Sequence, residues 1–209
     1  MGSTIKVRMG LDDHQPDRIT PQSFSRGDAA SRADAASALR RSAYLFALQL
    51  TRDPDAAQDV AQESALRFYR NLERFDVNQP VEPWLYSIVR NQVRDRARRE
   101  RHRAHESLDD WLDRGIGEVG AEGSDPALIA ERREAQRQVW IGIGRLSEFH
   151  REIVVLRDFH DLSYAEIAEV LAIPRGTVMS RLHSARQSLR RQMELDGDRA
   201  NLPGGESDE

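Results

Sequence analysis

Four arginines, Arg90, Arg94, Arg98 and Arg101, fall on one side of the segment from Trp84 to Arg101, with Ser87 and Asn91 among them. At 100° per residue these six group opposite Leu85, Ile88, Val89 and Val93. Guanidiniums spaced this way neutralise phosphates and release counterions, the sequence-independent part of affinity for nucleic acid. The Asn91 amide both donates and accepts, so it can read a base edge. Trp84, with Phe75 and Tyr86 nearby, adds rings of the kind on which unpaired bases stack. The competing reading makes Trp84 and Tyr86 core residues and the arginines a solvated face.

A second stripe is acidic. From Pro54 to Arg74, Ala57, Val60, Ala61, Ala65, Phe68 and Leu72 share a core face, while Asp55, Asp59, Gln62, Glu63, Leu66 and Arg70 lie opposite. An apolar Leu66 ringed by carboxylates suits a basic helical partner, although single exposed leucines are common. Neither a nucleophile nor a metal-binding set accompanies these carboxylates, so no catalytic role and no cofactor is expected. His150, His160 and His183 read as ordinary polar residues.

The third constellation runs from Ser163 to Leu189. Ser163 and Glu166 have the spacing of a capping box, Ile173-Pro174 makes a turn, and a longer helix follows. Short helix, tight turn and longer helix form a helix-turn-helix. Ile167, Ala168 and Leu171 face inward on the first helix, and Val178, Leu182, Ala185 and Leu189 on the second. Met179, Ser180, His183, Arg186, Gln187 and Arg190 then point outward. In this motif the start of the second helix enters the major groove. Ser180, His183 and Gln187 are candidates for base edges; Arg175, Thr177, Arg181 and Arg186 are candidates for phosphates.

The elements that must carry these residues are helical throughout. Helices are expected over Asp34–Thr51, Pro54–Arg74, Pro83–Arg103, about 126–145, 147–159, 163–172 and 176–193, with Asp53-Pro54 and Asp125-Pro126 as capped starts. Glycines at 115, 117, 120 and 123 among acidic residues mark a linker, within which Leu108, Trp111 and Leu112 could form one short helix. The chain divides into a flexible tail (1–33), a first domain (34–103), a linker (104–125), a second domain (126–193) and an acidic tail (194–209). The expected class is all-α, two small helical domains joined by a flexible linker.

The 209 residues are 32% charged and 6% aromatic, which favours two small helical cores over one sheet core. The absence of cysteine excludes disulfides and thiolate metal sites. Of 31 basic residues Lys6 is the only lysine. No apolar run approaches the length of a membrane span, so a cytoplasmic protein is expected, without membrane insertion.

Asp55-Ala-Ala-Gln-Asp-Val-Ala-Gln-Glu63, Trp84-Leu-Tyr-Ser-Ile-Val-Arg-Asn91 and the Leu162–Leu182 stretch, in this order, resemble the extracytoplasmic-function (ECF) family of RNA polymerase sigma factors. The likeness covers about residues 34–103 and 127–192. It implies that the first domain is sigma region 2, docking on the β′ clamp helices of core RNA polymerase through Asp55, Asp59, Gln62, Glu63 and Leu66. It implies that Phe75, Trp84, Ser87, Arg90, Asn91, Arg94 and Arg98 hold the melted −10 strand and a flipped base. The second domain becomes region 4, near the β flap, reading the −35 duplex with Arg175, Thr177, Met179, Ser180, Arg181, His183, Arg186 and Gln187. Met179 departs from the family, which usually carries Lys or Arg there. The resemblance further implies control by an anti-sigma factor and no catalysis by the chain itself. The alternative is a helix-turn-helix regulator acting without being a polymerase subunit.

Overall fold

Local capping explains where the helices start. The Asp53 carboxylate accepts hydrogen bonds from the Asp55 and Ala56 amides at 2.9 and 3.1 Å, and Pro54 occupies the first turn, where a missing N–H costs nothing. Ser163 and Glu166 cap reciprocally at 3.3 and 2.7 Å. Ala172, at φ 53°, closes that helix in the left-handed region. The structure is a computed structural model that describes residues 29–72, 75–76, 79–100 and 126–200.

Within those residues the order is α1 (Ala29–Thr51), α2 (Pro54–Asn71), α3 (Val81–Glu100), α4 (Pro126–Gly144), α5 (Glu148–Val154) continued by a π turn (Val155–Phe159), α6 (Tyr164–Leu171) and α7 (Arg175–Ala200). The described residues contain no strand. None of their helices is long and apolar enough to cross a membrane.

The all-α expectation holds; several boundaries shift. α1 begins at Ala29, inside the range read as tail, because Ala29, Ala30, Ala33, Ala35 and Ala36 favour helix. α7 continues to Ala200, past the expected end at Met193. α3 starts two residues before Pro83, which fits because proline is tolerated in a first turn. Arg101, the linker 104–125 with its expected short helix at Trp111, and the outer parts of both tails lie outside the described residues.

Leu39, Phe46, Phe68, Leu85 and Val89 form the centre of α1–α3; Ile143, Ile153, Leu156, Ile167, Val178 and Leu182 form that of α4–α7. The wheel assignments of Ala57, Val60, Ala61, Ala65, Phe68, Ile167, Leu171, Val178, Leu182 and Ala185 to core faces are borne out. The two domains pack against each other. The buried residues of both halves form one continuous apolar cluster, with Phe46 against His160 at 5.3 Å between ring centroids. Arg151 donates to Gly144 O and Leu146 O of its own half and to Leu50 O at the end of α1, at 2.9, 3.0 and 3.2 Å. Arg52 donates to Gly144 O at 3.1 Å. Both cations sit where helix C-termini leave carbonyls unpaired and carry partial negative charge. Burial, and then the neighbouring Arg52, lower the Arg151 pKa to about 10.

Candidate nucleic-acid interface

α2, α3 and the turn between them build a pocket of about 400 Å³, lined by Arg67, Asn71, Phe75, Asp76, Trp84, Ile88 and Asn91. The turn is closed by hydrogen bonds from Phe75 N to Leu72 O (3.1 Å) and from Gln79 N to Asp76 O (2.9 Å). This fold-back stacks Phe75 on Trp84, centroids 4.7 Å apart and planes 19° apart, while Phe68 packs on Trp84 at 4.6 Å. Trp84 is therefore a wall of the pocket rather than a free stacking platform. Tyr86 is core: it is buried, and its hydroxyl bonds His160. The pocket offers aromatic surface, two amides, a guanidinium and a carboxylate, the chemistry that recognises a base outside a duplex. Phe75, Trp84 and Asn91, expected from the sequence, line it. Arg67 and Asn71 were not expected, although their spacing of four puts them on one face of α2.

The basic face of α3 is divided. Asn91 and Arg98 are exposed. Ser87 turns its hydroxyl back to Pro83 O at 2.9 Å. Arg90, expected outward, is only 6% exposed. Its Nε lies 3.1 Å from Glu152 Oε2, and its terminal nitrogen donates to Val170 O at 3.4 Å. Arg94 reaches Glu148 at 3.0 Å and Glu152 at 3.2 Å. In this conformation, then, Arg90 and Arg94 face carboxylates of the second domain, and their expected place on an open face is corrected. Helix periodicity put them opposite the α3 core correctly; it could not show that another helix docks there. Burial pushes the Glu152 carboxyl above its ordinary pKa, against the opposing pull of Arg90 and Arg94.

On α2, Asp55, Asp59, Gln62 and Leu66 face outward as expected, Leu66 at 44% exposure, and Glu63 is partly exposed. Asp59 pairs with Arg96 at 3.2 Å and Glu63 with Arg67 at 2.8 Å. That hydrogen bond from Arg67 holds the Glu63 carboxyl below its ordinary pKa. Tyr69, missed from the sequence, is exposed one turn from Leu66 and enlarges the apolar spot.

The outward face of α7 emerges as read. Met179 (60% exposed), Ser180, His183, Arg186 and Gln187 are exposed, as is Arg175, and Thr177 is partly so. Ser180 bonds back to Thr177 O at 3.1 Å, and Gln187 meets His183 at 3.0 Å. Arg186 is paired with Asp158, whose hydrogen bond raises the guanidinium pKa. Arg181, a phosphate candidate, is partly buried and lies over the Phe149 ring, 5.6 Å from the centroid. The described residues hold no cluster of three or more metal-ligating side chains.

Among the described residues, helices carry a pocket beside arginines in one domain and an outward helix-turn-helix in the other, an arrangement suited to nucleic acid. Family comparisons particularise it. The family model for sigma-70 region 2 matches residues 36–103, and that for sigma-70 region 4 matches residues 142–191. The ECF RNA polymerase sigma factor SigW of Bacillus subtilis (strain 168) is 30% identical over 177 residues, 80% of this chain and 91% of the relative. SigL of Mycobacterium tuberculosis is 32% identical over 151 residues, covering 70% of this chain and 80% of the relative. Two solved structures share the fold. The sigma factor RpoE of Bartonella quintana, in complex with the anti-sigma factor NepR, has a TM-score of 0.58 at 22% identity over 78% of this chain and 97% of its own. CnrH in complex with the cytosolic domain of CnrY has a TM-score of 0.57 at 21% identity over 86% and 98%. The chain belongs to the ECF family of RNA polymerase sigma factors, which are transcription initiation factors.

Proposed function

We propose that this sigma factor docks on core RNA polymerase through the outer stripe of α2, captures the unpaired −10 strand in the α2–α3 pocket and reads the −35 duplex with the outward face of α7. Asp55, Asp59, Gln62 and Glu63 supply charge for a basic partner, and Leu66 with Tyr69 supplies the apolar centre that protein interfaces need. Phe75, Trp84 and Asn91, joined by Arg67 and Asn71, receive a base; Arg98, and Arg90 and Arg94 when freed, hold its backbone. His183 and Gln187 read base edges, and Arg175 anchors phosphate at the start of α7. The β′ clamp helices and the β flap are the polymerase elements this placement requires. An anti-sigma factor is the expected inhibitor, a reading supported by the two structural neighbours, each solved with such a partner or with a bound cytosolic domain. The chain contributes binding and strand capture, and the polymerase contributes catalysis.

The observation that carries this reading is the pocket, where a stacked aromatic pair, the Asn71 and Asn91 amides and Arg67 converge. The test is run-off transcription with purified core polymerase on a promoter library. Asn91→Ala should lower open-complex formation about tenfold, the effect of losing one base contact. Gln187→Ala should weaken −35 recognition while leaving core binding intact. Undiminished output from both variants would overturn the assignment.

A further inference from the structure

Two carboxylates one turn apart on α5, Glu148 and Glu152, face two guanidiniums one turn apart on α3, Arg90 and Arg94. Glu152 is 1% exposed, and Arg90 is nearly as enclosed. Such a buried ion pair is a poor way to gain stability, since apolar residues of similar size do as well or better. It is a reversible way to close two surfaces, because all four groups regain water on separation. Beside the apolar contact, directional bridges also join the halves: His160 with Tyr86 and Gln49, Arg151 with Leu50 O, and Arg52 with Gly144 O. At the rim, Phe149 (53% exposed) lies beneath both Arg94 and Arg181, at 5.2 and 5.6 Å. One −10 candidate and one −35 candidate are thus held on the same ring.

We propose that the second domain is an intramolecular competitor for the strand-binding face of the first: Glu148 and Glu152 occupy Arg90 and Arg94 as the phosphates of the −10 strand would, so closure and strand capture exclude one another. The inference rests on the strand-binding role assigned above to those arginines. A carboxylate presents paired oxygens to a guanidinium much as a phosphate does. Closing the domains therefore gives the arginines countercharge without nucleic acid, and the apparent strand affinity falls with the fraction of chains that are open. By reciprocity, strand binding must open the chain.

The chain contains no cysteine, so a donor and an acceptor dye can be placed uniquely on the full-length protein at Gln58→Cys and Arg191→Cys, both exposed. Energy transfer between them reports closure, and far-UV circular dichroism reports that the helices persist. Glu152→Gln leaves Arg90 and Arg94 short of countercharge; it should lower transfer and raise affinity for a mixed-sequence single-stranded oligonucleotide about tenfold. Arg94→Glu should also lower transfer, and adding Glu148→Arg on this more exposed pair should restore it. The oligonucleotide should lower transfer in the parent protein. Unchanged transfer in Glu152→Gln and Arg94→Glu, with helix content retained, overturns the closure. Lowered transfer with no gain in strand affinity overturns the competition and, with it, the placing of Arg90 and Arg94 on the strand, while the closure itself stands.

Discussion

His160 should make stability depend on pH, with a sign the structure dictates. Its Nε2 lies 2.7 Å from the Gln49 amide oxygen, which can only accept, so Nε2 carries the hydrogen. Nδ1 then accepts from the Tyr86 hydroxyl at 2.9 Å. The ring is enclosed by Phe46 and Tyr86, with centroids at 5.3 and 4.7 Å, and this burial lowers its pKa from 6.5 to about 4. The unfolded chain takes up the proton near pH 6.5, while the folded chain refuses it until about pH 4. Stability from the neutral ring is therefore fully present above pH 6.5 and is lost as pH falls toward 4. At about 1.4 kcal/mol per pH unit, the whole swing is about 3 kcal/mol. Glu152 acts in the opposite sense, since its pKa is raised by burial and the folded state binds that proton first. The two effects separate by difference. Urea unfolding of the parent and of His160→Gln, followed by ellipticity and tryptophan fluorescence from about pH 7.5 to about pH 4, gives the stability gap between them. That gap should shrink by about 3 kcal/mol across the range. A gap constant to within about 0.5 kcal/mol would refute the reasoning.

Ser163→Ala removes the acceptor for the Glu166 amide and half of a reciprocal cap, and should cost about 1 kcal/mol in a thermal melt. Gly142→Val puts carbon beyond a Cβ position that already stands 3.0 Å from Leu189 Cδ1 and 3.5 Å from Met193 Cγ, so the Leu189 side chain must give way between α4 and α7; unfolding by urea should show a loss of about 1 kcal/mol. Leu66→Arg should weaken binding to core polymerase in a competition assay about tenfold with the melting temperature unchanged, because the side chain lies on the outer face of α2. A fall in melting temperature with core binding unaffected would count against the docking stripe.

The sequence by itself determined where the capped helices start and which side of each helix is apolar. Those are local matters: Asp53-Pro54, Ser147 and the Ser163–Glu166 box cap their own amides, and a period of 3.6 residues sorts side chains whatever lies beyond. The outward row of α7 and the acidic stripe of α2 were legible for the same reason. Tertiary structure alone decided what the polar sides meet. Nothing near Arg90 in the chain announces that Glu152 will enclose it, that Arg181 will rest on Phe149, or that His160 will join Gln49 to Tyr86. The pocket likewise needs α2, a turn and α3 to converge before Arg67, Asn71 and Asn91 share a wall. A polar helix face can be satisfied by water or by charges of a distant helix, and periodicity reads the same in both cases; only docking of the two domains chooses between them.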